Sequence, residues 1–499
     1  MTNLIPATSV DRLKAFFAPA NLTRLALRNP RDLQWGDAFA FACLLLPLLY
    51  IGAHATPQSL DFCLGRFAEL GLWDGLLAQY NIYGHQFLGR SLSLLPLHLV
   101  GAFSLDYFYV YALFILLGMI SFIVFSRWMV LQLLPTAPRP LKLTAATSLA
   151  IALLANAPSV RELAFSLFGE FTYALPGLLL SIVYLCLYRA LAASRDFTWV
   201  ERFVLLAATP IVALSNEWSG LALMALLLCA FVARLRLVPE APAPILHAIL
   251  LGLSIMGTIA LLLGPQNPIF TLEHMGMGIV WSVIYTPEFF ALRLPLPGTL
   301  GWFLLLALSY RPELRTHNLS ERHRQLLAFT LVSLLMMSFI AFAFGYLPAE
   351  SRLPAREQNE LYVVVVVALS VTLCLVAPLI RDRLEGWRQS VPLLQKLTAK
   401  PLPLLTLALI LSFLSPAVLG ALWQMPAAAT YRTESRTRLA LMVNRAEPTV
   451  YLPPLSAQPG LLFDREITSD PADWRNSCAA DFFKLDRVLP QPQKSDIGQ

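Results

Sequence analysis

YFYVYALFILLGMISFIVFSRWMV, residues 107–130, carries a single charged side chain, Arg127, close to its end. A bilayer core roughly 30 Å thick is crossed by a helix of about 20 apolar residues, so this run is long enough to span. Lipid offers backbone amides no hydrogen-bond partner, and a run of this kind must therefore be helical. Similar runs recur through residues 37–423. The chain of 499 residues is 57% hydrophobic and 14% charged, with a mean hydropathy of +0.62. Soluble proteins carry about 25% charged residues, so the composition excludes that class. The fold expected is an all-α membrane protein, a polytopic bundle with a large first outer loop and a small C-terminal outer tail.

Working outward from 107–130, spans are expected at 37–55, 143–156, 172–190, 201–215, 218–233, 245–263, 298–310, 326–345, 361–380 and 402–423, giving eleven in all. Residues 1–36, rich in arginine, read as a cytoplasmic segment and not as a cleavable signal, because they are long and polar and lead directly into a full span. Residues 56–106 form the first outer loop, in which 91–103 is apolar but too short to cross and reads as interfacial or re-entrant. Residues 424–499 form the extracytoplasmic tail, with one amphipathic helix in YRTESRTRLALMVNR and a short extended piece at YLPPL. Charge supports this layout: 22 of the 37 Lys and Arg residues fall in segments assigned to the cytoplasm, 6 in the outer loops and 9 in the tail. That is the asymmetry of the positive-inside rule. It accounts for the net charge of +6 without nucleic acid as a partner. The six cysteines include no CxxC pair or metal-ligand spacing. Cys63 and Cys478 are the two placed to meet outside the membrane, against the more ordinary reading of cysteine as a small buried hydrophobe.

Polar groups gather in the loop that precedes residue 107. Residues 60–90, LDFCLGRFAELGLWDGLLAQYNIYGHQFLGR, hold Asp61, Glu69, Asp74, His85 and Arg90 among aromatics and glycines. Ionisable groups at or within a membrane are expensive and are functional candidates by default. Asp61 comes first because it stands where the chain leaves hydrocarbon, where a carboxylate serves as a proton acceptor for an attacking hydroxyl. The competing reading makes it a helix cap or a partner of Arg66 or Arg90. Arg352 and Arg356, in GYLPAESRLPAREQNE, reach the same outer surface, and guanidinium forks bind phosphate oxygens in pairs. Against that, they pair with Glu350, Glu357 or Glu360, or with ordinary lipid. Glu217, in the seam SNEWSG, and Tyr173, with Glu170 in GEFTYALPG, are candidate sugar contacts. The neighbouring Trp218 equally suits an interfacial belt. Residues 264–298 read as a loop that covers the site or packs at the interface. His85 has no second histidine at ligand spacing. A divalent cation on acids near Asp61 stays open, since oxygen-ligand sites leave no spacing signature.

No phosphate-binding GxxxxGK[ST] loop, GxSxG elbow or HExxH helix occurs. What remains is a resemblance. Leu60-Asp61-Phe62 directly after the first span, the loop ending in Gly89-Arg90, the stretch from Tyr173 to Gly177, the Asn216-Glu217 seam, Pro354 to Arg356 and the tail segment DPADWRNSCAADFF together resemble bacterial multipass membrane glycosyltransferases of the C-type fold. One departure is plain: Leu60 stands where such loops often carry a second acid. The resemblance implies a transferase at the outer face of the inner membrane that takes a sugar from a polyprenyl-phosphate carrier to a cell-envelope glycan or lipid. It implies Asp61 as general base, Arg352 and Arg356 on the carrier phosphate, and Glu217, with Arg90, Tyr173 and His85, as substrate contacts. The alternatives are a transporter or flippase of lipid-linked sugars and an envelope polysaccharide polymerase or ligase.

Overall fold

The computed structural model describes residues 43–57, 59–65, 67, 70, 72–83, 87–103, 106–135, 137, 139–237, 245–264, 272–309, 321–346, 354–390, 401–444 and 447–491. Residues 1–36, His85 and Arg352 lie outside them. The first outer loop is a string of short helices: after α1 (Cys43–Ala53) come α2 (Ser59–Gly65), α3 (Leu72–Tyr83), α4 (Phe87–Leu92) and α5 (Leu95–Phe103). The bundle follows with α6 (Tyr107–Leu133), α7 (Arg139–Ala155), α8 (Val160–Ala164), α9 (Leu167–Ala193), α10 (Trp199–Ala213), α11 (Glu217–Leu237), α12 (Ile245–Leu262), α13 (Leu272–Arg293), α14 (Pro297–Ser309), α15 (Glu321–Tyr346), α16 (Ala355–Ser390), α17 (Pro401–Phe413) and α18 (Pro416–Asn444). The tail adds β1 (Thr449–Leu452), α19 (Trp474–Phe483) and β2 (Arg487–Pro490), the two strands pairing in parallel.

Among the described residues, six helices are long and apolar enough to cross a membrane, or eight when the bent pairs α13 with α14 and α17 with α18 each count as one. The chain is thus an all-α membrane protein by length and composition. α16 forms the axis. Its run LYVVVVVA, residues 361–368, is buried on every side, as a helix apolar all round must be. Polar side chains tie it to its neighbours. The Tyr362 hydroxyl donates to the Ala152 carbonyl at 2.7 Å and lies 2.6 Å from Thr299, and the Trp302 indole donates to Ser370 at 2.8 Å. Hydrogen bonds also fix direction. Arg322 at the start of α15 donates to the carbonyls of Leu191 and Ala192, and His323 meets that of Leu375 at 2.7 Å. α15 is therefore antiparallel to both α9 and α16, and the first turns of α6, α9, α11 and α16 collect at the opposite end.

Two expectations change here. Residues 264–298 were expected to form a loop that covers the site or packs at the interface, but 272–293 is the helix α13, packed along α15. The expected last span, 402–423, bends by 55° between α17 and α18 and then continues as α18 to Asn444. Pro416 has no amide to continue the α17 ladder but is well suited to begin a new helix. The alanine-rich stretch after it propagates the helix, so YRTESRTRLALMVNR extends a span rather than standing alone. The tail has a small core of its own, with Met442, Val450, Leu452, Ala480, Phe483 and Val488 buried together. A disulfide between Cys63 and Cys478 joins α2 to α19 across a sequence separation of 415.

Candidate functional site

The end of the bundle where α6, α9, α11 and α16 begin holds a group of buried polar side chains, among them Asp61, Glu170, Asn216, Asn359 and Glu360. Asp61 lies in the first turn of α2 and is 6% exposed. The Tyr111 hydroxyl, one turn into α6, donates to its Oδ2 at 3.0 Å and accepts from the Leu167 amide at 3.4 Å. Tyr107 stands edge-on to Tyr111, their centroids 6.1 Å apart. Asp61 is therefore held inside the protein against a phenol at the head of α6 and α9, inside α2 rather than capping it.

From Leu167 the chain leads straight to the other candidates. Phe168 carries the Arg90 guanidinium 5.2 Å above its ring and meets Tyr173 edge-on at 5.8 Å. The Gly89-Arg90 pair is explained by close approach. A Cβ on residue 89 would lie 2.7 Å from the Cα of Thr172, so only glycine lets α4 reach α9 and carry Arg90 over Phe168. Opposite α4, residues Glu170–Ala174 form a π-turn inside α9, a form of backbone frequent at functional sites. It buries both Glu170 and Tyr173. Tyr173 stands within reach of the charges of Glu357, Arg356, Arg90 and Glu162. Glu217, at the first position of α11, faces Glu357 and Arg90.

The Asn216-Glu217 seam is held by α16. The Asn216 amide donates to Glu360 at 2.9 Å and to the Thr172 carbonyl at 3.4 Å. Ser219 Oγ lies 2.5 Å from another oxygen of Glu360, and the Asn216 side-chain oxygen caps α11 by accepting from the Ser219 amide at 2.9 Å. Beside it Asn359 accepts from the Ser159 amide at 2.8 Å and donates to its carbonyl at 2.9 Å.

Of the expected site residues, Asp61, Arg90, Tyr173, Glu217 and Arg356 thus share one end of the molecule. Glu357 and Glu360, noted in the sequence only as arginine partners, join them, as does Glu162. Tyr111 and Asn359 were not foreseen. The signal for α16 was present in REQNE, since Glu357 and Glu360 stand three apart and share one face of a helix. No sequence signal pointed to Tyr111, one aromatic among several in an apolar run. Chemically, the end combines a proton acceptor, two guanidiniums and four helix N-termini, whose partial positive charge favours anions. Among the described residues, no three His, Cys, Asp or Glu side chains are grouped to hold a metal ion. Comparison with protein-family models, with curated proteins and with solved structures gives no match.

Proposed function

We propose that the chain is a membrane glycosyltransferase that transfers a sugar from a polyprenyl-phosphate carrier to a cell-envelope glycan or lipid acceptor at the outer face of a bacterial inner membrane. The observation that carries this reading is the gathering of Asp61, Arg90 and Arg356 at one end of the bundle, where four helices point their N-termini. In the proposed step the acceptor oxygen bonds to the anomeric carbon as the bond from that carbon to the phosphate oxygen breaks. Asp61 takes the acceptor's proton, and the electron pair leaves with the polyprenyl phosphate. Its charge is met by guanidiniums and helix N-termini already aligned for it. Eleven crossings, with the N-terminus cytoplasmic and the tail outside, belong to this reading and rest on the asymmetry of Lys and Arg along the sequence. The Cys63–Cys478 disulfide supports that orientation, since disulfides persist in oxidising compartments.

The test is reconstitution in liposomes with polyprenyl-phosphate sugars. Asp61→Asn keeps the shape of the side chain and removes the base, so it is expected to fold normally and lose at least about 100-fold in transfer, the lower end of general-base contributions. Undiminished turnover removes Asp61 from the mechanism.

One observation favours the transporter reading. Glu170 presses against the middle of α6, where a Cβ at Gly118 would lie 1.2 Å from its Oε1, and its Oε2 is buried without a hydrogen-bond partner among the described residues. Carboxyls at such depth mark ion and substrate pathways in transporters. The same liposomes, scored for movement of the lipid-linked sugar across the bilayer, separate the two.

A further inference from the structure

The helix that carries Asp61 is too short to hold itself. α2 has seven residues, and isolated helices under about 12–15 residues are marginal in water. Its shape is imposed by what packs on it, from two sides. On the membrane side Asp61 meets Tyr111, and Leu64 is buried with Leu94, Phe168 and Tyr173. On the other side α19, more than four hundred residues away, packs against it. Cys63 is bonded to Cys478, and the Phe62 ring lies 5.5 Å from Phe482 and 5.4 Å from Phe483, which stand edge-on to each other at 4.8 Å. Gly65 faces Phe482 so closely that a Cβ there would lie 2.4 Å from its ring.

α19 is in turn anchored. Asn476, fully buried, accepts from the Thr468 amide at 3.0 Å and donates to its carbonyl at 2.6 Å. Arg438 of α18 joins Glu466 at 2.7 Å, and Arg161, in the segment that leads into α9, joins Asp464 at 2.6 Å. The tail is thus braced against both α18 and the bundle, and its disulfide to the membrane part falls two residues beyond Asp61.

We propose that the C-terminal tail is a positioning clamp for Asp61, in which Cys63, Cys478, Phe482 and Phe483 fix α2 so that the carboxylate stays against Tyr111. The four are positioning residues and touch no substrate. This rests on the transferase reading only for its effect on rate; the clamp itself is a mechanical statement.

The experiment uses the full chain in nanodiscs, as wild type, as Cys63→Ser with Cys478→Ser, and as Phe482→Ala with the disulfide intact. Amide hydrogen exchange is followed at residues 59–65, at the paired strands 449–452 and 487–490, and across the spans. Transfer from a polyprenyl-phosphate sugar is measured in parallel. The clamp predicts exchange at 59–65 at least about tenfold faster in both variants, with protection of the strands and spans unchanged, and kcat reduced with KM for the donor unchanged. Unchanged exchange at 59–65 overturns the proposal. So does loss of protection throughout the tail in both variants, which assigns the contacts to folding of the tail itself. A rise in KM at constant kcat overturns it as well, since the tail then acts on binding and not on the base. Should the wild type transfer nothing, the transferase reading fails while the exchange data still decide the clamp.

Discussion

At the scale of single residues, the least replaceable groups are those that satisfy buried backbone. Asn359 is fully buried and meets both the amide and the carbonyl of Ser159. Removing its side chain leaves the Ser159 amide without its partner, at up to about 1–3 kcal/mol, whereas the Ser159 carbonyl still accepts from the Leu163 amide at 3.0 Å. Asn359→Ala is expected to lower the thermal midpoint of purified protein markedly, while Asn359→Asp, which keeps the acceptor and loses the donor, falls between the two. A midpoint for Asn359→Ala equal to that of wild type refutes the account. Gly169 makes a contrast with Gly118. A Cβ at 169 meets the Glu162 backbone oxygen at 1.8 Å, whereas one at 118 meets only the end of the flexible Glu170 side chain. Gly169→Ala therefore forces backbone to move, at about 1–3 kcal/mol. Gly118→Ala is relieved when Glu170 is also shortened, so a double-mutant cycle is expected to couple 118 to 170 and to leave 169 uncoupled. Asp61, Glu217 and Arg356 were legible as candidates because charge is conspicuous in an apolar chain. Asn359, Ser219 and Tyr111 were not, because their importance lies in which backbone group or carboxylate they meet, and folding alone decides that.

At the scale of elements, hydrophobic length located the six to eight helices that, among the described residues, are able to cross a membrane, and errors arose where a helix outlasts its apolar stretch. α18 passes from alanine-rich to charged sequence without breaking, since arginine, glutamate and leucine are all good helix formers. The π-turn in α9 likewise left no pattern in the sequence, yet it aims Glu170 and Tyr173. Outside the membrane, α19 shows how one side chain starts an element. Asp473 is its N-cap, accepting from the Arg475 amide at 2.9 Å, and the Arg475 guanidinium beside it holds the Asp473 carboxyl down to about 2. A folded-state value below the unfolded one gives stability that is complete above the ordinary aspartate range near pH 4 and is lost as pH falls through about 2. Thermal midpoints measured from pH 6 down to pH 2 are therefore expected to show an advantage of wild type over Asp473→Asn that shrinks across that window. A gap that stays constant with pH argues against the ion pair as its source.

At the scale of the whole molecule, the two ends of the bundle differ in what they must satisfy. One end bears the buried acids, the disulfide and the tail. At the other, Arg189 and Arg195 stand beside Glu201, Arg202 and Arg234 beside Asp196, and Arg322 on the end of α9, a cluster of cations in short connections. Short loops rich in arginine stay on the cytoplasmic side, whereas long segments cross regardless of their charge, so the many arginines of the tail do not weigh against its being outside. Exposed aromatics mark both boundaries, with Trp423 and Trp73 toward the tail and Trp199 toward the arginine-rich end, as interfacial belts require. The proposed orientation has a direct test: a cysteine in place of Ser456, in a background lacking the four free cysteines Cys43, Cys186, Cys229 and Cys374, is expected to react with a membrane-impermeant maleimide in intact cells. A cysteine in place of Arg236 is expected to react only after permeabilisation. Labelling in the reverse order turns the bundle over and puts a disulfide in a reducing compartment, where it does not persist. The site at Asp61 then faces the cytoplasm, and a reaction with an outward-facing carrier has no place on this chain.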